Sequence, residues 1–122
     1  MFVDLVTDHQ DRFIVRFWNY TENEHESLLR RFRGLSSANR VEEYVRLSTT
    51  AFGISTLVLK SFDRDRGARI AATENAVVWE LEVGGWNMVV DLSSRVEAGS
   101  SSFQWLDEKG EVSVLLSPSG RW

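Results

Sequence analysis

The sequence predicts an α+β fold in which a mainly antiparallel sheet of about six to seven strands carries two consecutive helices on one face. Three observations lead to this prediction: alternating apolar residues near the N-terminus, a helix-capping signal directly after them, and short turn sequences throughout the second half. Grouped helices and strands joined by tight turns are typical of α+β proteins. The chain has 122 residues and no recognisable repeat or linker, so we expect a single domain over residues 1–122.

The first element is a predicted β-hairpin. Phe2–Val6 and Arg12–Tyr20 have strand character, and the polar break Asp8-His9-Gln10-Asp11 lies between them. Within the second strand, Phe13, Val15 and Phe17 alternate with other residues and therefore lie on one face. Two strands joined by a short polar turn most simply pair with each other.

The first helix has a clear start. Thr21 and Glu24 have the spacing of a capping box, in which each side chain satisfies a free backbone N–H at the helix start. Glutamates in the first turn and arginines in the last turn match the helix dipole. We expect this helix to end at Gly34.

A second helix is predicted directly afterwards, ending at Gly53. Five residues fall at helical spacing, although the run from Ser48 to Thr50 is a poor helix former. These five are Val41, Tyr44, Val45, Ser48 and Phe52. The candidates for its N-cap are Ser36, Ser37 and Asn39.

The remaining residues predict strands. Ile54–Phe62 is a largely apolar strand, and Phe103–Leu106 is expected to pair with Glu111–Leu116 across a charged turn. Between them, Gly84-Gly85 separates two alternating runs within Ala76–Leu92, which is a strong signal for a two-residue hairpin. In that register, Trp79 and Met88 belong to an apolar face that also carries Trp86.

Composition excludes several classes of function. The chain has no cysteine, which rules out disulfides, thiolate zinc sites and cysteine nucleophiles. Residues 63–122 carry ten acidic and six basic side chains and so hold the whole net charge of −4, which gives no attraction to nucleic acid or anionic lipid. Without a signal-peptide pattern or a long apolar run, we expect a cytoplasmic protein.

No motif indicates catalysis, a cofactor or a metal. The chain has only two histidines, and His9 lies in a polar turn. His25 lies beside the apolar stripe of the first helix, where a histidine usually forms a hydrogen bond with a neighbour. A small-ligand or enzyme site near His25 stays open as one alternative.

Binding of another protein is the leading hypothesis. Acidic residues on the polar face of the Gly84-Gly85 hairpin and on the following hairpin would attract a basic partner and accept arginine side chains. An ordinary solvated sheet face is the alternative interpretation. Trp18 and Trp122 are aromatic candidates for the same interface, although a helix or the tail would bury Trp18. The acidic candidates are Glu80, Glu82, Asp91, Asp107, Glu108 and Glu111.

The whole chain resembles the immunity proteins of bacterial polymorphic-toxin and contact-dependent inhibition systems. The shared features are small size, acidic balance, the absence of cysteine and of a catalytic motif, the segment Val77–Leu92 and the terminal Gly120-Arg121-Trp122. The resemblance implies a non-enzymatic inhibitor that occludes the active site of a toxin, commonly a basic nuclease. A small acidic secretion chaperone or adaptor, acting as a dimer with an exposed apolar groove, is the other binding hypothesis.

Overall fold

A computed structural model describes residues 1–37 and 41–122, apart from the side chain of Ala51. It has two helices, α1 (Glu22–Ser37) and α2 (Val83–Ser94), and eight strands, so the α+β class is confirmed. In chain order the strands are β1 (Phe2–Thr7), β2 (Phe13–Trp18), β3 (Glu42–Ala51), β4 (Ile54–Ser61), β5 (Gly67–Ala71), β6 (Ala76–Leu81), β7 (Gln104–Asp107) and β8 (Val112–Ser117).

The eight strands form one mixed sheet, ordered β1-β2-β8-β5-β6-β4-β3, with β7 also paired to β8. The predicted antiparallel pattern holds in part: β2 with β8 and β4 with β6 are parallel, and the other pairings of described strands are antiparallel. The end strands β1 and β3 approach each other, and the Val3 N–H donates to Ser48 Oγ at 3.0 Å. The sheet therefore curls until its two ends meet.

One face of the curled sheet and both helices enclose the main core. Alternate residues such as Val15, Leu57 and Trp79 pack in one cluster with Phe32 of α1 and Trp86 of α2. The number of helices agrees with the prediction, but the second one lies in a different part of the chain, and the sheet has eight strands where six to seven were expected. The prediction that the two helices are consecutive is wrong, because four strands separate α1 from α2.

The N-terminal elements follow the sequence signals closely. β1 and β2 form the expected antiparallel hairpin. At the start of α1, the Glu24 N–H donates to Thr21 Oγ1 at 3.2 Å and the Thr21 N–H donates to Glu24 Oε1 at 2.9 Å, which confirms the capping box. The expected end at Gly34 is wrong, because Leu35 is fully buried and the helix continues to Ser37.

The predicted second helix is wrong, and most of its residues form β3. Val45 and Leu47 alternate with exposed residues and pack in the core, as a half-buried strand requires. Phe52 and Gly53 both have positive φ, 57° and 76°, and form the two-residue turn into β4. Gly53 therefore makes a hairpin turn and does not end a helix. Of the N-cap candidates, Ser36 and Ser37 lie inside α1, and Asn39 lies outside the described residues.

The predicted Gly84-Gly85 hairpin is also wrong, because β6 ends at Leu81 and both glycines lie in the first turn of α2. β6 is buried along its whole length beside β4 and β5, so its apparent alternation does not mark a half-exposed strand. Trp86, Val89 and Ser93 are buried at helical spacing. Asp65 accepts the Glu82 N–H at 2.9 Å, and a Cβ on Gly85 would overlap this carboxylate.

The two adjacent glycines provide a matched test of this helix start. A Cβ at Gly85 would also lie 3.1 Å from Leu81 Cβ, so Gly85→Ala should lower the free energy of unfolding by about 1–3 kcal/mol. Gly84 is exposed and its Cβ would meet only Glu82 Oε1 at 3.5 Å, so Gly84→Ala should raise it by up to about 1 kcal/mol. Urea denaturation measures both changes. Equal destabilisation by the two variants would favour a hairpin turn over a helix.

Candidate protein-binding surface

The predicted acidic face does not exist as one surface, because its residues lie on different elements. Glu80 belongs to β6 and is only 2% exposed. Its carboxylate forms a salt bridge with Arg69 at 3.1 Å and lies 3.9 Å from Arg66, so the charge of Glu80 is neutralised within the fold. The structure therefore corrects its placement on an exposed hairpin face.

Asp107 is likewise an internal group. Its carboxylate accepts the indole N–H of Trp79 at 2.7 Å and the backbone N–H of Lys109 at 2.9 Å. The residue is buried, and its bond to Trp79 joins β7 to β6 across the core. Sequence spacing alone could not distinguish Asp107 from its exposed neighbour Glu108.

The other acidic candidates are exposed. Glu82 directly precedes α2, and Asp91 lies on α2 with Arg95 at 2.8 Å. Glu111 accepts the backbone N–H of Ile70 at 3.1 Å and so joins β5 to the start of β8. Glu108 makes no hydrogen bond or ion pair within the described residues, which leaves its charge fully available to a partner.

The structure brings some of these residues together beside an apolar cleft that the sequence did not indicate. We call this cleft, of about 390 Å³, the α2–β7 groove. Met88 and Leu92 of α2 form one wall, and Trp105 of β7 contributes to the other. The prediction placed Met88 in the core, but it is 56% exposed. The other lining residues are Leu106, Asp107, Glu108 and Lys109.

The charges at the groove are mainly negative. Lys109 is paired with Asp65 at 3.2 Å, which offsets its positive charge. Glu108 lies on the same lining without a partner among the residues described. Asp91, in the turn of α2 between Met88 and Leu92, is paired with Arg95 at 2.8 Å. The groove thus combines an apolar floor with an acidic border.

The two aromatic candidates have different surroundings. Trp18 lies beneath the C-terminal tail: its ring contacts the backbone of Gly120, its indole N–H donates to Asp4 at 3.2 Å, and Arg16 lies 4.5 Å from its centroid. Trp122 is 44% exposed and its ring meets that of Trp105 edge-on, with centroids 6.4 Å apart. Trp122 therefore extends the apolar surface of the groove.

The sequence contained one usable signal for this groove. Met88 and Leu92 are four residues apart and share one side of a helix. In the register of a hairpin the same two residues appear to belong to the core face. Because α2 was predicted as part of a hairpin, the exposed apolar pair Met88 and Leu92 could not be predicted.

His25 belongs to α1 and lies where α1 contacts α2, on the side of α2 away from the groove. It is 7% exposed, its ring stacks on Tyr20 with centroids 5.3 Å apart, and Nε2 lies 3.0 Å from the carbonyl oxygen of Ser93. The expectation that this histidine hydrogen-bonds a neighbour is confirmed. Within residues 1–37 and 41–122, histidine and acidic side chains form no cluster that would hold a metal ion.

Comparisons with protein families, with characterised proteins and with solved structures find no match to this chain. None of the helices in the described ranges is long and apolar enough to cross a membrane.

Adjacent acids on the β7–β8 turn should respond differently to substitution. Asp107→Ala removes a buried acceptor of two hydrogen bonds, and the free energy of unfolding should fall by about 2–3 kcal/mol because the Trp79 N–H loses its charged partner. Glu108→Ala, at an exposed position, should change it by less than about 0.5 kcal/mol. Thermal and urea denaturation of both variants measure this difference. A similar stability for the two would contradict the structural role of Asp107.

Proposed function

We propose that this chain is a non-enzymatic binding protein of the immunity class, which neutralises a cognate bacterial toxin by covering its active site with the α2–β7 groove. The observation that carries this proposal is the exposed apolar lining of the groove beside unpaired acidic charge. Interfaces between proteins commonly have an aromatic and methionine-containing centre within a polar border. Met88, Trp105 and Trp122 supply such a centre here.

The apolar and charged groups would act at different stages of binding. Glu82 and Glu108, which form no salt bridge within the described residues, would attract a basic toxin domain, such as a nuclease, and orient it during encounter. Met88 and Trp122 would then be buried against it and determine how slowly the complex dissociates. The carboxylates of Glu80 and Asp107 would not pair with the toxin, because they bind groups of the same chain.

The proposal predicts that a large secreted protein is encoded beside the gene for this chain, and the C-terminal domain of that protein is the partner to test. Co-expression with this chain should restore growth to cells that produce that domain. Purified, the two should form a 1:1 complex in which the toxin activity is lost. Continued toxicity in the presence of the folded chain would overturn the proposed function.

Removal of the exposed apolar anchors should weaken the complex. The double variant Met88→Ala/Trp122→Ala should raise Kd at least tenfold, since buried interface anchors commonly contribute more than about 1 kcal/mol each. Tyr44→Ala is the matched control, because Tyr44 is 64% exposed on the distant strand β3. Titration calorimetry measures both. Equal Kd values for the two variants would place the interface elsewhere.

Charge reversal should slow association. Replacement of Glu82, Asp91 and Glu108 by lysine should reduce the association rate constant by about tenfold or more at low ionic strength, and the difference should shrink as salt screens the charges. Stability should change little, since the Asp91–Arg95 pair is exposed. Surface plasmon resonance over a salt series measures the rate constant. A rate constant that does not change would remove acidic steering from the proposal.

The secretion-chaperone hypothesis uses the same groove differently. In that case two copies of the chain would pair through Met88 and Trp122. Light scattering distinguishes the two hypotheses, because the immunity hypothesis predicts a monomer before the toxin binds. A dimer that dissociates on Met88→Asp substitution would favour the chaperone.

A further inference from the structure

A second cavity lies on the other side of the molecule, between α1 and the segment that follows α2. Its volume is about 410 Å³. Glu22, Glu26 and Leu29 of α1 line one side, and Glu97 and Ala98 line the other. None of these residues takes part in the groove described above.

The buried ring of His25 also borders this cavity. A carbonyl oxygen only accepts hydrogen bonds, so the contact with Ser93 places the proton of the neutral ring on Nε2. Nδ1 then carries a lone pair, and it has no hydrogen-bond partner within the described residues. The ring orientation is held by stacking on Tyr20, whose hydroxyl donates to the Val96 carbonyl at 3.2 Å.

The lining is rich in unpaired negative charge. Glu22, Glu26 and Glu97 have no salt bridge to any described residue, and Arg33 is the one basic side chain on the lining. The carboxylates do not converge as metal ligands would. A ligand that contacts several of them must therefore be an extended molecule with more than one hydrogen-bond donor.

Ser93, whose carbonyl accepts the hydrogen bond from His25, has an unsatisfied polar group of its own, although Ser93 is not on the lining of the cavity. The hydroxyl of Ser93 is fully buried and has no hydrogen-bond partner among the described residues. Such groups are rare in folded proteins, because an unpaired buried hydroxyl is destabilising. Ser93 is also the residue whose carbonyl holds His25, so two neighbouring side chains retain unused hydrogen-bonding capacity at this place.

We propose that this cavity binds an alkylammonium or alkylguanidinium cation. The carboxylates would accept hydrogen bonds from the cationic group, and Nδ1 of His25 would accept one more. Leu29 and Ala98 would contact the alkyl part. The same chemical group occurs in a free polyamine and at the end of an arginine side chain, so the test must include both.

Agmatine is the first probe, because it has a guanidinium and an ammonium group on a short alkyl chain. Titrated into the full chain at physiological salt, it should bind saturably at one site. The amide resonances that shift should be those of residues 22–33 and 93–98, and the ¹⁵N resonances of the His25 ring should move. Spermidine and N-acetyl-arginine amide, titrated in parallel, show whether a free polyamine or an arginine side chain is preferred.

Isosteric variants test the individual groups. Glu26→Gln/Glu97→Gln should raise the Kd of agmatine about tenfold, because two charge-assisted hydrogen bonds become neutral. Glu42→Gln/Glu74→Gln makes the same change in net charge at two exposed residues outside the cavity and should leave Kd within about twofold. His25→Gln keeps a donor near the Ser93 carbonyl and removes the acceptor at Nδ1, so it should raise Kd without loss of fold.

Two results would overturn the proposal. One is the absence of saturable binding by all three probes. The other is an equal loss of affinity in Glu26→Gln/Glu97→Gln and in the control variant, which would show attraction to net charge alone. If His25→Gln does not fold, the response of the His25 ring resonances in the unmodified chain still decides whether the imidazole contacts the ligand.

Discussion

The contact between Trp79 and Trp86 determines how the two helices lie on the sheet. Their ring centroids are 4.7 Å apart, and Phe32 of α1 packs 5.9 Å from each of them. Large buried aromatic rings contribute more to a core than most side chains, because of the apolar area that they remove from water. Both indole N–H groups are satisfied, by Asp107 and by the Lys60 carbonyl, so the rings also fix the positions of β7 and β4.

Both candidate sites follow from the orientation that these rings impose on α2. With Trp86 directed into the core, the helical repeat also buries Ser93 against α1 and turns Met88 outward. The exposed side of α2, with Met88, lies beside β7 and forms the groove. The buried side of α2, with Ser93, contacts His25 of α1. The two sites therefore lie on opposite sides of one helix and can be tested independently.

Local signals predicted the elements that depend on local interactions. The β1–β2 hairpin and the start of α1 need only alternation and a capping box, and both were correct. The apolar residues from Glu42 to Ala51 fit helical and strand spacing about equally. The segment forms a strand because it pairs with β4, and β4 lies outside the segment. The prediction of a hairpin turn at Gly84-Gly85 was wrong because glycine serves two purposes. It allows a tight turn, and at Gly85 it allows Asp65 to lie close to the start of a helix.

Only part of the candidate site overlaps the residues that the sequence indicated. Glu108 lies on the lining of the groove and Trp122 contacts Trp105, but the apolar residues that form the groove were not among the predicted ones. Whether a given carboxylate faces a partner depends on what the fold places beside it: Glu80 meets two arginines, whereas Glu108 meets none among the described residues. Such pairings depend on which strands lie side by side and in which register, as β5 and β6 do here, and the residues next to Glu80 in the sequence do not determine this. A negative charge is therefore evidence for binding only after the fold has shown that it is not already neutralised.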